Sequence, residues 1–129
     1  MTIKDFAEKY YLHDSGIEKI FYDEKNKKLV LTIEFCFWMQ NWYDETEPSN
    51  GKISATFENV SRFEYDENIS DKIFSDDLDN EILNAKFEKN FFILSFRETL
   101  SYQPLKEIFS KIEIQADNVE VTELERYDL

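Results

Sequence analysis

The chain has 129 residues, 42% of them hydrophobic, and a formal charge of −13. That length suits one domain over residues 1–129, and 12 Phe, 7 Tyr and 2 Trp supply enough apolar surface to exclude wholesale disorder. Two glycines leave little material for phosphate-cradling loops, the negative charge argues against nucleic acid and anionic membrane, and a single cysteine excludes an intramolecular disulfide.

Ile3, Phe6, Ala7 and Tyr10 recur at helical spacing behind Thr2, a residue type suited to an N-cap, which predicts a short helix ending near Tyr11. From Ile17 the period changes to two. Ile20 and Tyr22, then Leu29, Leu31, Ile33, Phe35 and Phe37, alternate with other residues and predict two strands joined by the polar hairpin loop 23–28. Cys36 lies in the apolar run Phe35–Trp38 and is expected as a buried free thiol. Gln40 to Gly51 reads as a polar loop, with Pro48, Ser49, Asn50 and Gly51 as its turn signal. Ile53, Ala55 and Phe57 begin another strand, and an extended piece runs from Val60 to Tyr65.

The stretch Glu64 to Glu81 holds eight acids against Lys72. Segment 69–82 reads either as a loop or as a helix, since Ile73, Asp77, Leu78 and Ile82 lie near helical intervals. Leu83, Ala85 and Phe87 alternate before Lys89 and Asn90, and Phe91 to Phe96 completes a hairpin. Residues 111–116 and 119–124 flank Asp117 and Asn118 and predict a second hairpin. The fold class is therefore mainly β: an antiparallel sandwich or strongly curved sheet of about seven to eight strands with a short N-terminal helix, the alternative being α+β if segment 69–82 is helical. The N-terminus lacks the apolar core of a signal peptide and no run reaches spanning length, so the cytoplasm is the expected compartment and no membrane partner is expected.

His13, Asp14 and Ser15 have the residue types of a hydrolytic triad, but consecutive residues do not present that three-body geometry to one substrate. They are expected as a structural turn, with Asp14 and Ser15 bonding local backbone. One His and one Cys in the chain exclude the usual zinc ligand sets within a protomer. Asp77, Asp79, Glu81 and Glu88 match a calcium-loop spacing, but Ile82 occupies the place that demands glycine. No catalytic residue, metal or cofactor is assigned.

The cluster that suggests function is Trp38, Trp42, Tyr43, Asp44, Glu45 and Glu47, where aromatics border acids beside a loop. The competing structural reading has Trp38 finishing a core strand and Trp42 covering an edge. Asp76, Asp77 and Asp79 form a second candidate surface for a basic protein partner, against a purely solubilising role for the acids.

Tyr11-Leu12-His13-Asp14-Ser15-Gly16-Ile17, followed by Ile20, Asp23 and the run Leu29 to Ile33, resembles small bacterial proteins with a Leu-His-Asp-Ser strand start. The late Ala116-Asp117-Asn118-Val119 turn is similar to theirs as well. Some of these groups are uncharacterised and others are assigned as immunity proteins, which bind and neutralise a secreted toxin. The resemblance implies fold kinship and carries over no catalytic residues. The leading expectation is thus a non-enzymatic, acidic protein-binding domain of the immunity type. A carboxylate-based enzyme or small-ligand binder, and a homo-oligomeric accessory domain, stand as alternatives.

Overall fold

The computed structural model describes residues 1–65, 80–99 and 107–128. Helix α1 (Ile3–Lys9) starts where the Thr2 hydroxyl accepts the Asp5 N–H at 3.0 Å, and it turns Ile3 and Phe6 inward. It stops before Tyr11, because Tyr10 is already extended and donates its N–H back to the Phe6 carbonyl.

Eight strands follow among the described residues: β1 (Gly16–Asp23), β2 (Lys28–Cys36), β3 (Asn50–Glu58), β4 (Arg62–Tyr65), β5 (Asn80–Glu88), β6 (Phe91–Thr99), β7 (Glu107–Gln115) and β8 (Asn118–Tyr127). They form two antiparallel sheets, ordered β1-β2-β3-β8 and β4-β7-β6-β5. Among the described residues the fold is mainly β with one short N-terminal helix, as the alternating pattern predicts. Of segment 69–82, residues 80–82 begin β5; residues 69–79, with Asp76, Asp77 and Asp79, lie outside the described residues.

Alternation decides which side chains meet between the sheets. Leu29, Leu31, Ile33 and Phe35 of β2, Ile53, Ala55 and Phe57 of β3, Phe92, Leu94 and Phe96 of β6, and Ile112 and Ile114 of β7 are all at most 1% exposed. Burying each large member contributes about 1.5–3 kcal/mol before ordering costs. Phe6 inserts from α1 between the sheets, its ring 5.9 Å from Phe57 and 5.4 Å from Phe92. On β1 a register shift at Glu18 keeps both Ile17 and Ile20 inside although they are three residues apart.

The hairpin expected over residues 111–124 does not form. β7 pairs with β4 and β6, while β8 pairs with β3, so Asp117 and Asn118 carry the chain from one sheet to the other. The reason lies in a second strand pair turning the same corner. Asn59 takes a left-handed φ of 53° between β3 and β4; the Asp117 N–H donates to the Glu58 carbonyl, and the Asn59 amide donates to the Asp117 carboxylate at 3.1 Å. A two-stranded ribbon thus bends once and feeds both sheets. The Lys89–Asn90 turn does close a hairpin, with both residues left-handed at φ 52° and 68°.

Gly51 is also placed differently from the turn expected around it. Asn50 and Gly51 already belong to β3, and a Cβ on Gly51 would lie 2.2 Å from the Glu125 carbonyl oxygen and 2.8 Å from the Phe37 ring. The glycine is required by close approach of a neighbouring backbone.

The opposite side is closed by residues 13–15. Asp14 is left-handed at φ 68°, its N–H donates to the Ile82 carbonyl, and the Ile82 N–H donates to the Ser15 carbonyl at 2.7 Å. The Asn80 side chain continues this contact, accepting the Ile17 N–H at 2.9 Å and donating to the Ile17 carbonyl at 2.7 Å. No helix among the described residues is long and apolar enough to cross a membrane.

Candidate functional site

At the end of β2 the apolar alternation runs into a single 3-10 turn, Phe37–Met39. Phe37 stays buried, so the next residue, Trp38, is turned outward and is 53% exposed. Its indole makes no ring contact and no side-chain hydrogen bond among the described residues, while its N–H donates to the Ser49 carbonyl and closes loop 38–49. The expectation that Trp38 finishes a core strand is therefore corrected. Phe37 fills that place.

Loop 38–49 is fastened along its length. Gln40 is buried; its side chain accepts the Tyr11 N–H at 2.8 Å and donates to the carbonyls of Tyr11 at 2.8 Å and Cys36 at 3.0 Å. Trp42 is 39% exposed and covers an edge: it stacks on Phe35 at 6.3 Å, meets Tyr10 at 5.8 Å, and donates its indole N–H to the Lys9 carbonyl at 3.2 Å. The Lys9 ammonium sits 5.5 Å from the same ring. Tyr43 is half-buried, and its hydroxyl donates to the Glu47 carbonyl at 2.9 Å.

The three acids of the loop divide by what they touch. Asp44 accepts from the Thr46 N–H at 2.9 Å and the Thr46 hydroxyl at 2.7 Å, and these bonds hold its carboxyl below the usual range. Glu45 and Glu47 are exposed and have no side-chain partner among the described residues. They are the carboxylates that face outward unengaged.

β8 brings further residues that local reading of the sequence missed. The Arg126 guanidinium lies 3.9 Å from the Phe37 ring centroid and donates to the Pro48 carbonyl at 2.8 Å, and Asp128 accepts the Ser49 N–H at 3.0 Å. Glu123 pairs with the same Arg126 at 3.5 Å, and burial, then the charge of Glu123, raises the Tyr10 phenol above its ordinary value. On the other flank Tyr11 is 50% exposed and stacks on His13 at 5.9 Å. The end of β8, with Arg126 and the following Asp128, and the aromatic loop are therefore one region. The pairing of β3 with β8, which brings Asn50 opposite Tyr127, joins them, and a window of sequence does not contain it.

His13, Asp14 and Ser15 sit at the turn already described. His13 Nδ1 is 3.1 Å from an Asp14 carboxylate oxygen, but Ser15 is buried and its hydroxyl accepts the Cys36 N–H at 3.2 Å. The Ser15 hydroxyl thus reaches β2 in place of the local backbone expected for it, while its N–H donates locally to the Leu12 carbonyl. Cys36 itself is half-buried, where a fully buried thiol was expected, because it ends β2 at the rim of the sheet. Burial raises its pKa, and its sulfur lies 3.6 Å from the Asp14 carbonyl oxygen.

Of the calcium-loop match, Glu81 pairs with Arg97 and Glu88 with Lys86, while Asp77 and Asp79 lie outside the described residues. No group of three or more His, Cys, Asp or Glu among the described residues is placed to hold a metal ion. Glu98 is buried on β6 and Ser110 lies diagonally across on β7; among the described residues one Glu98 carboxylate oxygen and the Ser110 hydroxyl have no hydrogen-bond partner. In comparison with known proteins, the chain matches no family model, no curated protein and no solved structure.

Proposed function

We propose that this chain is a protein-binding domain that docks a basic partner on the surface formed by Trp38, Tyr11, Glu45 and Glu47, and that the partner is a toxin neutralised in the manner of an immunity protein. The observation that carries this reading is the exposed, unengaged Trp38 on a loop pinned at Gln40, Trp42, Tyr43, Pro48 and Ser49. A large amphipathic ring carried on backbone that is fixed before binding loses less entropy when it is covered than one on a free loop, which is the property of an interface anchor. Glu45 and Glu47, in a chain of charge −13, supply the field that speeds encounter with a basic surface. The resemblance around Tyr11 to Ile17 supports the immunity-type role, and the exposed Tyr11 is tied to the loop through its backbone bonds with Gln40.

Affinity capture with the tagged protein, alongside Glu45→Gln/Glu47→Gln, tests this at low and moderate salt. The expected result is one stoichiometric basic protein whose association slows with salt and slows again in the variant. Capture of the same proteins at the same rate by both forms counts against the reading.

A second reading, a small-ligand binder, is favoured by the buried Glu98 and Ser110, whose carboxylate oxygen and hydroxyl have no partner among the described residues. Thermal-shift screening against sugars, amines and divalent ions tests it. A ligand that stabilises the protein but not Glu98→Gln supports this reading, and no stabilisation by any of them removes it.

A further inference from the structure

In the last turn of α1 the Lys9 side chain lays its ammonium on two aromatic rings, 5.4 Å from the centroid of Tyr10 and 5.5 Å from that of Trp42. Both distances lie within reach of the negative ring face, and tryptophan is the strongest such acceptor among side chains. The rings themselves are set by the core. Trp42 stacks on Phe35 at 6.3 Å, meets Tyr10 at 5.8 Å and Phe37 at 6.1 Å edge-on, and donates its indole N–H to the Lys9 carbonyl at 3.2 Å. Tyr10 packs on Phe35 at 5.7 Å and on the buried Phe6 at 5.3 Å.

The cation is the loosely held part of this arrangement. Lys9 is exposed, and its flexible four-carbon stem gains rotamer freedom whenever it leaves the rings. Trp42 keeps 39% exposure with Lys9 in place, so the ring pair is reachable from outside. The pair also adjoins the Trp38 surface: Trp38 and Trp42 flank Gln40 on one loop, and the Gln40 side chain is bonded to the backbone of Tyr11, next to Tyr10.

We infer that Tyr10 and Trp42 form a binding site for an alkylammonium side chain, that Lys9 occupies it in the free chain, and that a lysine of the basic partner displaces Lys9 on docking. The displacement step rests on the reading of the partner given above; the site and its resident cation do not. Lys9 acts as an internal competitor. An incoming lysine restores the contact that Lys9 gives up, whereas an apolar or acidic side chain forfeits it, so the chain's own cation makes the site selective.

The test uses the full chain with Nα-acetyl-lysine methylamide as the probe, beside its norleucine analogue, which has the same stem without the charge. Binding is read by NMR at the Trp42 indole and the Tyr10 ring. In the protein alone the Lys9 ε-methylene protons lie upfield of those of Lys4, because they sit over ring faces, and the probe returns them toward the ordinary position. Lys9→Gln binds the probe about threefold more tightly than the unsubstituted chain, the factor by which an exposed cation–π contact holds the place closed. Lys4→Gln removes the same charge at the other end of α1 and leaves the affinity within about 1.5-fold, since salt screens that distance. The captured basic partner binds Lys9→Gln more tightly by a factor similar to the probe's. Equal shifts from the norleucine analogue and the lysine probe overturn the site, and equal probe affinity of Lys9→Gln and the unsubstituted chain overturns the competition. A partner whose affinity Lys9→Gln leaves unchanged or weakens overturns the displacement step. Probe binding as described with no basic partner captured fails the toxin reading and leaves the ammonium site standing.

Discussion

Asp23 shows how one side chain in the β1–β2 turn sets a pH dependence. Its carboxylate accepts from the Asn26 side-chain amide at 2.7 Å and from the Asn26 N–H at 3.2 Å, and these bonds lower its pKa. A carboxyl depressed in the folded state stabilises the fold above its ordinary range, and that contribution is lost as pH falls through the depressed value. Asn26→Ala therefore raises the Asp23 pKa toward the ordinary value and lowers stability at neutral pH, with the two proteins converging in acid. Carboxyl chemical-shift titration and urea unfolding at about pH 7 and about pH 2 check both halves, since the ordinary aspartate value lies between them. At this scale the sequence was legible where alternation fixes a side chain's face, as at Leu29, Leu31 and Ile33. The same alternation carries on to bury Phe37 and turn Trp38 outward; reading Trp38 as the end of a core strand set it aside.

Elements depend on contacts that no window of sequence contains. Gly51 admits the Glu125 backbone on β8, so Gly51→Ala forces two strands apart and is expected to cost about 1–3 kcal/mol or more, read by urea unfolding. Loop 38–49 depends on Gln40 in a similar way. Gln40→Ala leaves the Tyr11 N–H and the Tyr11 and Cys36 carbonyls short of a partner, which costs about 1–3 kcal/mol and frees the loop. Partner affinity then falls although Trp38 is untouched, because the anchor is no longer held in place before binding. The strands themselves were visible as alternation, as was the Lys89–Asn90 turn from residue types that tolerate positive φ. Asp117 and Asn118 offered the same turn chemistry and yet join two sheets, because the bend at Asn59 on the adjacent strands decides where they go.

Across the whole molecule, folding converts two separate features of the sequence into one surface. The aromatic loop and the C-terminal residues meet through Arg126 and Asp128, Arg126 holds Glu123 at 3.5 Å, and the exposed Trp38 ring belongs to the same loop. The acids at Asp76, Asp77 and Asp79 lie outside the described residues and take no part in this picture. The fold class was readable from period two, scarce glycine and proline, and short connections; the site was readable as a cluster of residue types, but not as a division of labour between a covering Trp42 and an outward Trp38.

The most direct measurement is the Kd of the captured basic partner for Trp38→Ala beside the unfolding free energy of the same variant. An exposed ring without side-chain bonds is expected to leave stability within about 0.5 kcal/mol, while loss of an interface anchor weakens binding about thirtyfold, equivalent to about 2 kcal/mol. Unchanged binding by a Trp38→Ala protein of unchanged stability contradicts the assignment of this surface to partner recognition.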